Sequence, residues 1–183
     1  MSSKGQVVPY VWGGMSPPWG TSLADNQFEE TEAIYGDKPG TAFTRQDGNA
    51  YPKTGFDCSG IILRAAQACG IPYFFKNTTT AGKHLRTLAD DEALEDGDLI
   101  LIPGHIMVIS DVEKNMLIDS CGYASGFGCV REIELNKVFR DIATYDELIM
   151  RSKTDAETEF LSIDSQTTKT FNWIKLLKMR SVF

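Results

Sequence analysis

Four strand-length apolar runs crowd into one short stretch of this chain: Leu99–Ile102, His105–Ser110, Met116–Asp119 and Val130–Leu135. The first two links, Pro103-Gly104 and 111–115, are far shorter than the dozen or so residues that a parallel crossover needs. The runs are therefore expected to pair in an antiparallel sheet, and Asp96-Gly97-Asp98 supplies the turn that leads into them. Upstream the period changes. Ile61, Ile62, Ala65, Ala66 and Cys69 recur at helical spacing and make one apolar face. Asp57 is placed to cap that helix, Gly70 stands just past its end, and Pro72 bars continuation. A second short helix is predicted over Ala81–Leu88. One buried helix ahead of a strand meander is an α+β pattern.

With 183 residues the chain reads as a single domain spanning 1–183, able to bury a core without disulfide or metal staples. Val7–Gly14 reads as a short apolar strand or turn ending in paired glycines. Residues 15–54, headed by Ser16-Pro17-Pro18-Trp19-Gly20, read as a long insertion with one short helix at Asp25–Ile34. Such an insertion either serves the site, as a cap or a partner surface, or is a surface excursion that loop-closure entropy penalises weakly. From about Asn136 the chain becomes a polar C-terminal extension, most solvated over Lys153–Glu159. Its end, Phe171–Lys178, is either a basic amphipathic helix or a closing strand, with its apolar side expected on the sheet.

The net charge of −7 repels phosphate backbones and anionic headgroups, so nucleic acid and charge-driven membrane adsorption are poor expectations. The longest apolar run, Leu99–Ile109, is interrupted by Pro103-Gly104-His105 and falls short of the ~20 residues of a membrane span. No apolar stretch follows Met1-Ser2-Ser3-Lys4, so no signal peptide is read, which fits either a cytosolic chain or a piece of a longer one. The four cysteines, Cys58, Cys69, Cys121 and Cys129, show no CxxC spacing, and only two histidines accompany them. Neither a metal nor another cofactor is expected. Cys121 and Cys129 are read as free, partly buried thiols in a loop between strands, with a disulfide as the alternative in an oxidising compartment.

Thiol catalysis needs a thiolate, a base and a group that orients the base. Cys58 stands at the first turn of the clearest helix, where the unpaired N–H groups favour an anion. The same groups are expected to meet a developing oxyanion. Of the two histidines, His84 lies on a polar helix beside Lys83 and Arg86, whereas His105 heads an apolar strand and can be held rigidly. Asp119, in Leu117-Ile118-Asp119-Ser120, is the candidate orienter. Each residue taken alone is weak: helix-start cysteines and strand histidines are more often packing residues.

Taken together, four blocks resemble the NlpC/P60 family in order. They are Pro9-Tyr10-Val11-Trp12-Gly13-Gly14, Gly55-Phe56-Asp57-Cys58-Ser59-Gly60, Gly97-Asp98-Leu99-Ile100 and Gly104-His105-Ile106-Met107-Val108-Ile109. The resemblance covers about Val7 to Ser120. It implies a reduced papain-like fold, with a nucleophile-bearing helix packed on an antiparallel sheet. It implies a cysteine peptidase acting on peptidoglycan stem peptides, at the bond between D-glutamate and a diamino acid, and hence a periplasmic or cell-envelope setting. By position Cys58 matches the nucleophile, His105 the base and Asp119 the third polar residue, often His in the family. Tyr10 matches the tyrosine near the nucleophile, and Asp57 and Ser59 the positions that shape the helix start. Three departures stand out: the 15–54 insertion, the lack of an arginine in Ile71-Pro72-Tyr73-Phe74-Phe75, and the missing leading helix. The last favours a truncated chain or an absent upstream wall-binding domain. A monomer is expected. The competing expectations are a degenerate module that binds wall peptides without cutting, and a papain-like thiol amidase or acyltransferase. In the latter class His tends to precede Cys along the chain.

Overall fold

Leu99–Ile102 (β3) is buried along its whole length, because strands flank it on both edges and packed layers cover both faces. The computed structural model describes residues 8, 10, 15–16, 55–70, 77–122 and 128–182. The predicted Asp25–Ile34 helix, most of the 15–54 insertion, the Val11–Gly14 run and the Ile71–Phe75 segment lie outside these residues. The described part is α+β. Its main sheet has five antiparallel strands in the order β6-β5-β4-β3-β9. They are Cys129–Glu134, Met116–Cys121, His105–Asp111, β3 and Lys175–Leu177. Pro103-Gly104 closes the β3–β4 hairpin, with Gly104 at φ 73°, a left-handed conformation that glycine adopts without penalty.

One sheet face receives the helix Cys58–Ala68 (α1) and the helix Thr78–His84 (α2). Ile62, Ala66, Ala81 and Leu85 pack there on Leu99, Leu101, Ile106 and Leu177. The second helix starts three positions before the predicted Ala81 and stops at His84. Asn77 and Thr80 form a reciprocal capping box that fixes its start, and Leu85 is already extended.

The opposite face carries Ile100, Ile102, Met107, Ile109 and Leu117, and the C-terminal extension covers it. That cover contains a helix, Tyr145–Ser152 (α3), and a hairpin of Thr158–Leu161 (β7) with Thr167–Phe171 (β8), none of them foreseen from the sequence. The tail is a closing strand rather than a helix: β9 pairs antiparallel with β3. Lys178 anchors it. Its buried ammonium lies 2.6 Å from Asp98 Oδ2, 3.1 Å from Glu95 Oε2 and 3.1 Å from the Ala93 carbonyl. Asp98 of the Gly97-Asp98 turn is thus a structural anchor.

The two ends of the insertion are held together, since Met15–Ser16 (β1) pairs with Gly55–Phe56 (β2). Ahead of it, Tyr10 N–H donates to the Gly128 carbonyl and Val130 N–H to the Val8 carbonyl, each at 2.8 Å, along the outer edge of β6. Cys121 and Cys129 are direct cross-strand partners that end β5 and begin β6, not loop residues, and both are free thiols. Because Gly128 and Val130 point their polar groups outward, Cys121 and Cys129 form the hydrogen-bonded kind of pair. Its Cβ atoms stand wider than a disulfide prefers.

Candidate active site

Asp57 sets the start of α1. Its Oδ1 accepts hydrogen bonds from Ser59 N–H at 3.0 Å, Gly60 N–H at 2.5 Å and the Ser59 hydroxyl at 3.1 Å. Cys58 is therefore the first helical residue, and it is partly accessible. The cap has a consequence that the sequence did not reveal. The N–H groups of Ser59 and Gly60 are committed to Asp57, so they are not available to an oxyanion. Ser120 Oγ donates to the Phe56 carbonyl at 2.8 Å, which ties β5 to the residue just before Asp57.

His105 opens β4 directly after the Gly104 turn, opposite Ile102. Its side chain is 16% exposed, and Nε2 lies 2.7 Å from Asp119 Oδ1. This leaves Nδ1 as the ring nitrogen for any further partner. Phe160 of β7 packs edge-on against the imidazole at 5.6 Å between ring centroids. Residue alternation puts His105 and Asp119 on the face covered by the C-terminal extension, which is why Phe160 reaches the imidazole.

Asp119 is fully buried and serves three donors. Besides His105, its Oδ2 accepts from Cys121 Sγ at 2.9 Å and from Arg131 Nη2 at 3.1 Å. Burial pushes the carboxyl up, but the His105 charge and hydrogen bond, the Cys121 thiol and the Arg131 guanidinium outweigh it and hold Asp119 below its ordinary range. Burial works against a charged His105 as well. The electrostatic coupling to Cys58, the charge of Asp119 and the hydrogen bonds made with Asp119 and Cys121 win and raise the imidazole well above its usual value.

The hydrogen bonds of His105 go to Asp119 and Cys121, the latter with Sγ at 3.6 Å, rather than to Cys58. Cys58 is coupled to the imidazole electrostatically, without a hydrogen bond to it among the described residues. Cys121 does not suit a nucleophile: it is 4% exposed, and its thiol is pushed up by burial and by the Asp119 charge, despite the opposing pull of His105. His84 is exposed at the end of α2 and belongs to no site among the described residues.

Tyr10 is buried beside this cluster. A Cβ added at Gly122 would lie 3.1 Å from Tyr10 Cε1, so the bare glycine backbone makes room for the ring. Burial first, then the charges of Cys58 and Asp57, push the phenol up, which keeps it a hydrogen-bond donor. Six residues singled out in the sequence thus fall in one region: Tyr10, Asp57, Cys58, Ser59, His105 and Asp119. Sequence reasoning missed Cys121, Arg131 and Phe160. Cys121 was findable, because residues two apart on a strand share a face. Arg131 needed the β5–β6 register, which sets it opposite Asp119.

Comparisons with protein-family models, with curated proteins and with solved structures return no match.

Proposed function

We propose that this chain is a cysteine peptidase of the NlpC/P60 type that hydrolyses peptidoglycan stem peptides at the γ-D-glutamyl–diamino acid bond. The observation that carries the reading is the imidazole of His105, held at 2.7 Å by the buried carboxylate of Asp119 in the same region as the helix-start Cys58. In this scheme Cys58 attacks the scissile carbonyl and forms a thioester. The imidazolium of His105 passes its Nδ1 proton to the leaving amine, and Asp119 keeps the ring oriented through Nε2. Water, deprotonated by the now neutral ring, then releases the acid product. With Ser59 and Gly60 N–H groups occupied by Asp57, the oxyanion is met by the Cys58 N–H and the Tyr10 hydroxyl. The test is mass spectrometry of purified peptidoglycan after digestion. New amines at one stem bond are expected from the wild type and none from Cys58→Ala. Wall binding without new amines would point to a degenerate binding module.

A second reading has one observation in its favour. An almost wholly apolar cavity of about 390 Å³ runs beside α1, lined by Ile61, Ile62, Ala65, Leu99, Val108 and Ile118. Its dimensions suit an aliphatic chain, as a thiol acyltransferase or amidase would require. The chain order, Cys before His, favours the peptidase. Acyl transfer from a thioester or lipid donor, without stem cleavage, would reverse the ranking.

A further inference from the structure

We propose that His105 Nε2, the Asp119 carboxylate and Cys121 Sγ form a binding site for a thiophilic divalent cation of the Zn²⁺ class, whose occupancy silences the hydrolase. The inhibitory consequence rests on the peptidase reading, whereas the binding does not. The three ligand atoms lie within 4.8 Å of one another, and they belong to two adjacent strands of a buried sheet. Nitrogen, oxygen and sulfur together match the donor preferences of Zn²⁺ better than those of Mg²⁺ or Ca²⁺, which take oxygen.

The geometry can be tested against coordination chemistry. A tetrahedral zinc with these three ligands requires edges of about 3.3 to 3.6 Å between ligand atoms. The Nε2–Sγ separation is already 3.6 Å. The carboxylate meets the other two ligands through different oxygens, with Nε2 2.7 Å from Oδ1 and Sγ 2.9 Å from Oδ2. One oxygen must therefore turn toward the ion while the His105 and Cys121 side chains draw back by about half an ångström, adjustments that side-chain torsions can supply.

Entry of the ion displaces the thiol proton of Cys121 and the ring proton on His105 Nε2 to solvent. One dication replaces two protons, so the buried cluster keeps its net charge and Arg131 keeps its carboxylate partner. The bound ion takes the nitrogen that Asp119 uses to orient the ring. It removes the charge that His105 needs as a general acid. The paired-cysteine spacing sought in the sequence is absent because these ligands are assembled across strands, not along one loop.

The test uses the full chain, titrated with Co²⁺ as a spectroscopic stand-in and then with Zn²⁺. Wild type is expected to bind one equivalent and to show a thiolate-to-cobalt charge-transfer band, which Zn²⁺ abolishes. Cys121→Ser is expected to lose the band, Cys58→Ala to keep it, and His105→Ala to bind at least about tenfold more weakly. Absence of the band in wild type, its persistence in Cys121→Ser, or unchanged affinity in His105→Ala would overturn the site. If Cys121→Ser fails to fold, the His105→Ala affinity decides. Hydrolysis is expected to fall with the same dissociation constant for Zn²⁺ and to return on chelation. Hydrolysis that persists at full Zn²⁺ occupancy would overturn the silencing. A chain that binds cobalt through Cys121 but cuts no stem peptide would overturn the peptidase reading and leave the metal site standing.

Discussion

His105 and Asp119 lie on neighbouring strands with Nε2 and Oδ1 2.7 Å apart, and the carboxylate is fully buried. A carboxylate in that place selects the tautomer with its proton on Nε2, fixes the ring and stabilises the imidazolium. The charge-neutral Asp119→Asn can accept only from one face and supports the wrong tautomer. We expect stem-peptide kcat/KM to fall about 10²- to 10⁴-fold with near-native circular dichroism. A loss below tenfold would show that Asp119 does not orient the base.

The pair also makes stability depend on pH, with opposite signs at the two ends. Asp119 is held below its ordinary value of 3.8, so its contribution is present above 3.8 and lost as pH falls through the depressed folded value. His105 is held above its ordinary 6.5, so its contribution is complete below 6.5 and lost as pH rises through the elevated folded value. Thermal midpoints measured with a chelator present are expected to plateau between those ordinary values and decline on either side. His105→Gln should flatten the alkaline decline, and an unchanged profile would contradict the assignment.

Tyr10 should act through its hydroxyl. Because burial keeps the phenol protonated, Tyr10→Phe is expected to lower kcat about tenfold or more, with little change in KM or folding. Gly122→Ala places a methyl 3.1 Å from the same ring and should reproduce part of that loss by shifting the ring. Full activity in both variants would remove Tyr10 from the mechanism.

Lys178 adds a buried ion pair with Asp98 to the backbone pairing of the tail strand. Lys178 and Asp98 side chains are 3% and 2% exposed, with 2.6 Å between charges. Lys178→Ala leaves Asp98 charged and deprived of its ammonium, at a cost of about 3 kcal/mol or more in urea unfolding. Lys178→Met keeps the packing volume but not the charge and should recover only a fraction of that. A cost below about 1 kcal/mol for Lys178→Ala would mean that water replaces the ammonium.

Local signals were legible because their physics is local. Asp57 before Cys58 announces a capped helix, Pro103-Gly104 a tight hairpin, and the short apolar runs a buried sheet, each through signals a few residues apart. The α2 start was misplaced because the capping box of Asn77 and Thr80 was overlooked, although it too is local. The C-terminal helix was legible and overlooked, since Thr144 and Glu147 form a capping box and Tyr145, Leu148 and Ile149 fall at helical spacing, whereas the hairpin escaped notice because β8 is exposed along all but its last residue.

What the amino-acid order determined by itself was the helix start with its cysteine, the histidine at the head of a strand, and an aspartate on the strand that follows. Tertiary structure alone decided that Asp119 would serve His105, Cys121 and Arg131 together, that Phe160 would wall the imidazole, and that the tail would become the fifth strand. Alternation assigns a side chain to a face, but its neighbours there come from strand register and from a layer folded in from residues far along the chain.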